Sequence, residues 1–362
     1  MTFRVAVVGS GVVAEASHIP ALRAAGDRVE IVAAVDSDPE RLADFQQAHD
    51  IPAAYGSVQE MLAAQKPDLV HICTPPVTHV DIAVECLEAG SWVWVEKPPT
   101  LSLSEYARIE AAEREGGPYA SVVFQHRFGS GARNAIDLIS SGALGRPLVA
   151  ICQTTWFREQ AYFDVPWRGR WDTEGGGPTM GHGIHQMDLL LALLGDWTSV
   201  QATAARLDRA TETEDVSMAM VRFENGALAS IVNSVLSPRE ESYIRVDLSD
   251  ATVELTHLYG YRNSDWLYTP ASHVRDPERI ASWTAVPENV PSSHSAQLPF
   301  LLDAMERGVR PPLSGGEGRA ALELIAALYR SAFTGRVVVR GEIGPDDPFY
   351  YRMHGDALPW HS

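Results

Sequence analysis

Short apolar runs alternate with helix-like stretches over the first third of the chain. The apolar runs are FRVAVVG, EIVAAVD, DLVHICT, SWVWVE and ASVVFQ, and segments such as DPERLADFQQAHD and THVDIAVECLEAG lie between them. Continuous apolar runs joined by helical segments are typical of a parallel sheet whose two faces are covered by helices. The pattern therefore predicts an α/β domain with a doubly wound parallel sheet over residues 1–127.

From residue 128 onward, polar and apolar residues alternate along longer runs. After a predicted helix at about 131–141, DVSMAMVRFENGALASIVNSV gives two strands joined at Glu224-Asn225-Gly226, and YIRVDLSDATVELTHL gives two more joined near Ser249-Asp250. Such alternation with short turns predicts antiparallel hairpins. Residues 128–362 are therefore predicted to form a second domain of helices and strands, with a late helix over EGRAALELIAALYRSAFT that Gly335 terminates.

The composition narrows the class of ligand. The 362 residues are 45% hydrophobic, enough for two domain cores, and the formal net charge is −18. Nucleic acids and anionic membranes require a cationic face, so we expect neither as a partner and expect small-molecule ligands instead. The sequence shows no leader-like start and no apolar run of about 20 residues, and Cys73, Cys86 and Cys152 form no disulfide or metal pattern. We expect a cytoplasmic protein with buried, reduced thiols.

Glycines or polar residues follow each predicted parallel strand. In chain order they are Gly9-Ser10-Gly11, Asp36, Thr74-Pro75-Pro76, Glu96-Lys97-Pro98 and Gln125-His126-Arg127. Ligands of open α/β sheets bind beyond the carboxyl ends of the strands. These residues are therefore candidate ligand contacts.

The first strand is followed by GSGVVA, a G-x-G-x-x-A pattern formed by Gly9, Gly11 and Ala14. The first glycine permits a tight turn, the second lets a pyrophosphate approach the backbone, and the small third residue lets helix and strand pack closely. Asp36 ends the second strand 22 residues after Ala14. This context predicts a dinucleotide-binding Rossmann domain.

Asp36 also bears on the choice of dinucleotide. A carboxylate at this position can accept the ribose hydroxyls of NAD and would repel the 2′-phosphate of NADP, and Ser37 and Asp38 supply no neighbouring cation. Arg41 on the next helix could reach a phosphate or form a surface pair with Asp38 or Glu40. NAD is therefore favoured over NADP.

A second cluster of polar residues lies on an apolar segment, TMGHGIHQMDLLLALLG at 179–195. On a continuous helix, the i, i+3, i+6 spacing of His182, His185 and Asp188 spreads them over about 120°. That spread is too wide for one compact metal site, so no metal is predicted here. Asp188 is expected to orient a neighbouring side chain or the backbone.

Several motifs together resemble the glucose-fructose oxidoreductase/inositol dehydrogenase (Gfo/Idh/MocA) family of nicotinamide-dependent sugar and polyol oxidoreductases. They are GSGVVAEASHIPAL, ICTPPVTH at 72–79, EKP at 96–98, FQHRF at 124–128, GGG followed by GIHQMDLLLALLG, and LYRSAFTGRVV. The resemblance runs nearly end to end. It implies that the second domain has a large, open-faced, mostly antiparallel sheet, and that the protein forms a homodimer or homotetramer.

The resemblance also implies roles for individual residues. Lys97 of EKP would reach the nicotinamide and stabilise the alkoxide, and His185 would act as acid and base on the substrate hydroxyl. Oxidation of a secondary alcohol needs both groups. The expected cofactor contacts are Gly9, Gly11, Val12, Val13, Asp36, Ser37, Thr74, Pro75, His79, Glu96, Lys97 and Gln125. The expected substrate contacts are Lys97, His126, Trp167, Arg168, His182 and His185.

One position departs from the family pattern. Many members carry D-x-G-x-H, whereas this chain has Gly181 in place of the aspartate, four residues before His185. His182 is expected either to take over a polar contact with the substrate or His185, or only to cap the first helical turn. In the preceding loop, VPWRGRWDTEGGG, Trp167 and Trp171 are expected either to stack on a sugar or to pack in the core.

The resulting prediction is an NAD-dependent oxidoreductase that acts on a hydroxyl or carbonyl group of a sugar, inositol, polyol or sugar derivative. Two alternatives remain open from the sequence. One is an NAD-using glycosidase of the same fold, and the other is a non-catalytic NAD-binding sensor. The tail beyond Gly341 is expected either to lie on a neighbouring subunit or to pack on its own surface.

Overall fold

The computed structural model describes residues 1–356 and residue 360. It divides the chain into two compact units, the first formed by Met1–Phe124 with Ser293–Arg319, and the second by Gln125–Ser292 with the described residues from Ala320 onward. The return of residues 293–319 to the first unit is a long-range contact that hydrophobic periodicity does not reveal. The boundary at 127/128 remains a prediction from the sequence.

In chain order, the strands are β1 (Phe3–Val8), β2 (Val29–Val35), β3 (Ala54–Tyr55), β4 (Leu69–Ile72), β5 (Trp92–Val95), β6 (Ala120–Val122), β7 (Pro147–Phe157), β8 (Trp197–Ala205), β9 (Val216–Phe223), β10 (Leu228–Ser234), β11 (Leu236–Leu248), β12 (Ala251–Thr256), β13 (Trp266–Pro270) and β14 (Val338–Val339). The α-helices are α1 (Ile19–Ala24), α2 (Pro39–His49), α3 (Val58–Gln65), α4 (His79–Glu88), α5 (Leu103–Ala112), α6 (Ser130–Ser140), α7 (Trp171–Glu174), α8 (Pro178–Gly181), α9 (Ile184–Leu194), α10 (Pro277–Ser282), α11 (His294–Arg307), α12 (Gly315–Thr334) and α13 (Pro348–Tyr351).

The first unit contains a parallel six-stranded sheet in the order β3-β2-β1-β4-β5-β6. This confirms the predicted doubly wound sheet. Val8 at the end of β1 pairs with Val35 on one side and Ile72 on the other. The carboxyl ends of these strands are therefore level, and the residues that follow them lie at one edge of the sheet.

Side-chain caps define where the helices of this unit begin. The Asp38 carboxylate accepts hydrogen bonds from the backbone N–H groups of Glu40 and Arg41 at the start of α2. Ser57, Ser102 and Ser293 cap α3, α5 and α11 in the same way. Each cap satisfies a donor that the helix itself leaves without a partner.

The second unit contains an eight-stranded sheet in the order β13-β12-β11-β7-β10-β9-β8-β14. Strands β7 and β10 are parallel, and the other neighbouring pairs are antiparallel. Both predicted hairpins, β9–β10 and β11–β12, are confirmed. The burial of β9 alternates strictly between buried and exposed residues, as expected for a sheet with one open face.

No helix among the described residues is both long enough and apolar enough to cross a membrane. The three cysteines are all buried and unpaired with one another, as the sequence predicted.

Candidate functional site

The glycine turn after β1 is held tightly on one side and open on the other. Gly9 has a φ of +92°, and a Cβ at this residue would lie 2.9 Å from the Cys73 carbonyl carbon and the Thr74 nitrogen. A Cβ at Gly11 would meet nothing within 4 Å, and Val12 is 83% exposed. Gly9 is therefore required by the fold, whereas Gly11 leaves the approach to the helix clear.

This difference predicts distinct outcomes for two matched substitutions. Gly9→Ala is expected to lower the free energy of unfolding by about 2 kcal/mol or more, because it combines a left-handed backbone with a steric overlap. Gly11→Ala is expected to unfold like the wild type but to bind NAD at least about 10-fold more weakly, since the methyl group stands where a phosphate would approach. Denaturant unfolding and NAD titration test both; similar profiles for the two variants would contradict this assignment.

Asp36 is surrounded by donors at the end of β2. Its Oδ2 atom accepts from the Ser10 N–H at 2.9 Å and the Ser10 hydroxyl at 2.7 Å, and its Oδ1 accepts from the Asp38 N–H at 2.9 Å. The Arg41 guanidinium adds bonds of 2.7 and 3.1 Å to the two oxygens. Burial opposes the charge, but the hydrogen bonds from Arg41, Asp38 and Ser10 prevail and hold the pKa of this carboxyl well below its usual range.

The contact between Arg41 and Asp36 corrects one step of the sequence argument. Asp36 does have a neighbouring cation, because Arg41 reaches back from the first turn of α2 to its carboxylate, with a longer 3.4 Å contact to Asp38. The adjacent Ser37 is exposed. The carboxylate thus fixes the glycine turn through Ser10 while Arg41 lies beside it.

The turns after β4 and β5 are tied together by His79. One ring nitrogen lies 2.8 Å from the Thr74 carbonyl oxygen and the other 2.9 Å from that of Pro98. His79 is buried, and burial lowers its pKa. The structure therefore places His79 behind the turns, where it can position Thr74, while the exposed Pro75 lies in front. Direct contact of His79 with a cofactor stays a prediction.

The buried Glu96 carboxylate contacts a group of buried imidazoles. Here, the name histidine cluster refers to His18, His71, His294 and Glu96 together. The Glu96 Oε1 atom lies 3.0 Å from His18 Nε2 and 2.7 Å from His294 Nε2, and its Oε2 accepts from the Lys97 N–H at 3.1 Å. His18 Nδ1 is also 3.0 Å from His71 Nδ1. The predicted cofactor contact Glu96 is therefore an internal anchor for the backbone of Lys97, whose side chain is partly exposed.

Only weak signals of this cluster are present in the sequence. His71 interrupts an otherwise apolar strand and His18 lies seven residues beyond Gly11, but their contact with His294 is long-range. His18, Glu96 and His294 have ligand types that a metal could use, with ligand atoms within 4.8 Å of one another. Hydrogen bonds from the two imidazoles to one carboxylate oxygen satisfy the same geometry without a metal.

The histidine cluster should lower the free energy of unfolding in mildly acidic solution. Burial lowers the pKa of His18 and lowers that of His71 well below its usual value, so both are neutral in the folded state and titrate near 6.5 when unfolded. Below that pH the unfolded state binds more protons, and each histidine can remove up to about 1.4 kcal/mol of stability per pH unit. Urea unfolding at pH 7.5 and 5.5 measures this loss; equal stability at both values would contradict it.

In the second unit, a buried ion pair fixes the segment that carries His126 to helix α9. Arg127 donates from Nε and Nη2 to the two oxygens of Asp188, both at 2.7 Å, and Asp188 is fully buried. Such a bidentate pair holds both side chains in one orientation. Asp188 thus orients a neighbour, as the sequence suggested, and the arginine is the partner that the sequence did not identify.

His185 lies in an aromatic pocket built around this pair. Its ring stacks on that of His126 with centroids 4.6 Å apart and planes inclined by 28°. The Tyr259 ring contacts both imidazoles edge-on, and Tyr261 lies 4.6 Å from His126. Gln125 is buried and donates to the Tyr259 hydroxyl. The structure therefore brings together three predicted residues, Gln125, His126 and His185.

The segment before His185 is not one helix, which corrects the assumption of continuous helical spacing. Helix α8 ends at Gly181, His182 and Gly183 form the junction, and α9 begins at Ile184. A Cβ at Gly183 would lie 2.0 Å from Asn233 Oδ1, so the backbone presses against β10 at this point. His182 and His185 consequently do not share one regular helix face.

The GGG motif is explained by close packing on a buried carboxylate. A Cβ at Gly176 would lie 2.2 Å from the Tyr329 hydroxyl, and one at Gly177 would lie 1.9 Å from the Glu214 carbonyl oxygen. The Glu214 carboxylate accepts from the N–H groups of Gly177 and Thr179 at 3.0 and 3.1 Å and from Tyr329 at 2.8 Å. Burial raises its pKa. Glu214, which the sequence did not single out, therefore fixes the start of α8.

The two tryptophans of the loop before GGG differ in their surroundings. Trp171 is buried, donates to the Glu212 carbonyl oxygen at 2.9 Å and packs edge-on against Tyr329, so its role is packing. Trp167 is half-buried, and the Arg168 guanidinium lies 4.3 Å from its ring centroid. Trp167 and Arg168 remain candidates for substrate contact.

The described part of the tail packs on its own unit. Phe349 and Met353 are buried, and Trp360 donates to the Glu212 carbonyl oxygen at 2.7 Å. Of the two expectations for the tail, the structure thus supports surface packing for these residues; residues 357–359, 361 and 362 lie outside the described part.

Comparisons with known proteins agree with this organisation. Residues 3–124 match the family described as "Oxidoreductase family, NAD-binding Rossmann fold", and residues 132–254 match the GFO/IDH/MocA C-terminal domain. The chain is 27% identical to D-glucoside 3-dehydrogenase of Escherichia coli over 92% of this chain and 96% of that protein. It is 28% identical to D-apiose dehydrogenase of Paraburkholderia graminis over 93% and 89% of the two chains.

A solved structure gives the same result in three dimensions. The WlbA dehydrogenase from Bordetella pertussis, in complex with NADH and UDP-GlcNAcA, superimposes with a TM-score of 0.83 at 28% identity and covers 94% of this chain and 99% of that chain. Both family matches agree with the observed fold, which has a parallel sheet and glycine turn in the first unit and a mixed sheet in the second. The chain therefore belongs to the Gfo/Idh/MocA family of NAD-binding oxidoreductases.

Proposed function

We propose that this protein transfers a hydride between NAD and a secondary hydroxyl or carbonyl group of a sugar, inositol, polyol or sugar derivative. The observation that carries the proposal is the identity of residue 97. Of the 29 lysines and arginines in the chain, only Lys66 and Lys97 are lysines. A chain that otherwise uses arginine has thus kept a compact ammonium group at the edge of the parallel sheet, where a ligand would bind.

Lys97 and His185 divide the proton and charge chemistry in this proposal. The Lys97 ammonium stabilises the oxygen as it gains negative charge, and its backbone is anchored by Glu96 of the histidine cluster. The His185 imidazole takes the hydroxyl proton during oxidation and returns it during reduction. NAD supplies the hydride acceptor when it is bound.

The proposed cofactor is NAD, with NADP disfavoured. The glycine turn leaves Gly11 open, which supports the proposed pyrophosphate contact, and the ribose hydroxyls are assigned to Asp36 at the end of β2. A 2′-phosphate would have to displace the Asp36 carboxylate from Ser10 and Arg41. The Arg41–Asp36 ion pair would ease this displacement, because the freed guanidinium could bind the phosphate.

We also propose that the open face of the second sheet binds a second copy of the chain. Val149, Met218, Met220 and Leu228 lie on adjacent strands and are each 46 to 64% exposed. An apolar surface of this kind on an antiparallel sheet favours pairing with a like surface. A sedimentation mass equal to the 39.5 kDa monomer would contradict the proposal. The three buried free thiols support our proposal that the enzyme is cytoplasmic.

The experiment that tests the function is a screen of the purified protein with NAD and with NADP against polyols, inositols, sugars and nucleotide sugars. Nicotinamide absorbance reports turnover, and we expect reduction of NAD by at least one of these substrates. Cleavage of a glycosidic bond without net NAD reduction would identify a glycosidase. NAD binding with no turnover of any kind would identify a sensor and overturn the proposal.

A further inference from the structure

A buried carboxylate from another helix lies over Gly181, at the position where the D-x-G-x-H pattern places an aspartate. A Cβ at Gly181 would be 3.3 Å from Glu174 Oε1 and 4.0 Å from its Cδ. Glu174 is only 4% exposed, and its Oε2 accepts from the Gly169 N–H at 2.6 Å. The Glu174 carboxylate therefore lies directly beside the position that a side chain at residue 181 would take, and would have to shift to admit one.

Glu174 begins a chain of polar contacts that leads to His182. Its Oε1 lies 3.5 Å from Arg168 Nη1, and the same Nη1 donates to the Tyr162 hydroxyl oxygen. The Arg168 guanidinium also lies 4.0 Å from the centroid of the Tyr162 ring. The Tyr162 oxygen is in turn 3.3 Å from His182 Nε2. All four side chains belong to the second unit.

The chemistry of these groups limits which atom donates and which accepts in this series of hydrogen bonds. A guanidinium has donors and no acceptor, so the Tyr162 oxygen must accept from Arg168. The phenolic proton of Tyr162 remains available, and we assign it to the contact with His182 Nε2, which then accepts with its lone pair. Neutral imidazole carries one proton, and that proton must then be on Nδ1.

We propose that Glu174, Arg168, Tyr162 and His182 form a polarised relay that takes the place of the missing carboxylate at residue 181, holds the His182 imidazole neutral with its proton on Nδ1, and orients the ring toward substrate. Glu174, Arg168 and Tyr162 act as positioning residues, and His182 is the member that contacts substrate. This inference rests on the proposed function. Of the two expectations for His182, the proposal adopts the polar contact.

The positive charges of Arg168 and Arg158 support this assignment, since the Arg158 guanidinium also lies 5.5 Å from the Tyr162 ring centroid. Protonation of His182 at Nε2 would place a further positive charge near the Arg168 guanidinium. It would also remove the lone pair that accepts from the Tyr162 hydroxyl. Burial raises the pKa of Tyr162, which keeps the phenol protonated as the relay requires. Glu174 balances the arginine charge from the opposite side.

The decisive kinetic test uses four variants: Glu174→Gln, Tyr162→Phe, Gly181→Asp and the double variant Glu174→Gln/Gly181→Asp. The glutamine can still accept from the Gly169 N–H but carries no charge, and the phenylalanine lacks only the hydroxyl. We expect both to lower kcat/KM by about 10- to 100-fold, with NAD affinity within about 2-fold of wild type. In Tyr162→Phe the acid limb of the pH profile should move to higher pH, because His182 is no longer held neutral.

Gly181→Asp tests the overlap of the two carboxylates. In the wild-type background the new aspartate meets Glu174 and should reduce kcat/KM strongly, whereas in Glu174→Gln it should restore kcat/KM at least about 5-fold relative to Glu174→Gln alone. Glu159→Gln, which removes an exposed charge from the same loop, is the matched control and should leave kcat/KM unchanged. Wild-type kcat/KM and an unchanged pH profile in both Glu174→Gln and Tyr162→Phe would overturn the relay.

A readout without turnover separates failure of the relay from failure of the proposed function. In protein labelled with ¹⁵N-histidine, the His182 signals, assigned with His182→Gln, should show a protonated Nδ1 and an unprotonated Nε2 near pH 7. The Tyr162→Phe substitution should abolish this preference. An Nε2-protonated His182 in the wild type would contradict the relay even if no substrate were found, whereas an inactive wild type with the expected tautomer would contradict only the proposed function.

Discussion

Replacement of Lys97 by methionine is expected to lower kcat by about 10²- to 10³-fold, on the order of 3 to 4 kcal/mol of transition-state stabilisation. Methionine keeps the length and the apolar stem of lysine but removes the ammonium group to which we assign stabilisation of the developing alkoxide. The Glu96 hydrogen bond to the residue 97 N–H does not depend on the side chain, so the turn should remain in place. NAD affinity is expected to change by less than about 3-fold.

The second lysine provides the matched control. Lys66 is exposed at the end of α3, and Lys66→Met should leave kcat unchanged. In Lys66→Arg, Lys97 is the only remaining side-chain amine, so a lysine-specific acylating reagent reports on it alone, apart from the amino terminus. NAD together with substrate should protect Lys97 from the reagent. A Lys97→Met enzyme with kcat within twofold of wild type would contradict the assigned role.

Replacement of His185 by alanine is the second large effect. We expect kcat to fall by about 10²- to 10⁴-fold because the group that exchanges the hydroxyl proton is lost. NAD affinity should change far less. Thermal unfolding is needed alongside kinetics, since the substitution also removes the stacking partner of His126.

His273→Ala is the control for loss of an imidazole. The His273 side chain is 64% exposed and lies 3.4 Å from Asp250, so its removal should affect neither kcat nor stability appreciably. Equal losses of kcat and NAD affinity in His185→Ala, or an unfolding midpoint lowered enough to account for the inactivity, would show that His185 has a structural role instead.

The parts of the fold that were predictable depend on local patterns. Apolar runs with helical spacers indicated the parallel sheet, and strict alternation around Glu224-Asn225-Gly226 indicated a hairpin. The return of Ser293–Arg319 to the first unit was not predictable in this way, because it depends on contacts such as Glu96 with His294 that are 198 residues apart. Periodicity within a window of the sequence carries no information about such contacts.

In the candidate site, too, residues in local motifs could be predicted, whereas residues placed by long-range contacts could not. The glycine turn, Asp36, Lys97 and His185 were selected as candidates because each occupies a defined place in a motif. Glu174 was missed, since a glutamate in a loop resembles any solvated charge until its carboxylate is found over Gly181. The break between α8 and α9 was also missed; Gly183 at this junction packs against Asn233 of β10, a contact that is distant in sequence.

The most direct test of the central claim is the fate of the hydride. A substrate found in the screen, deuterated at the carbon that bears the reacting hydroxyl, should pass one deuterium to the nicotinamide ring of NAD in a single turnover, as measured by mass spectrometry. The Lys97→Met and His185→Ala enzymes should transfer it at least about 100-fold more slowly. Product formation with no deuterium in the released nicotinamide would contradict net hydride transfer to NAD by this protein.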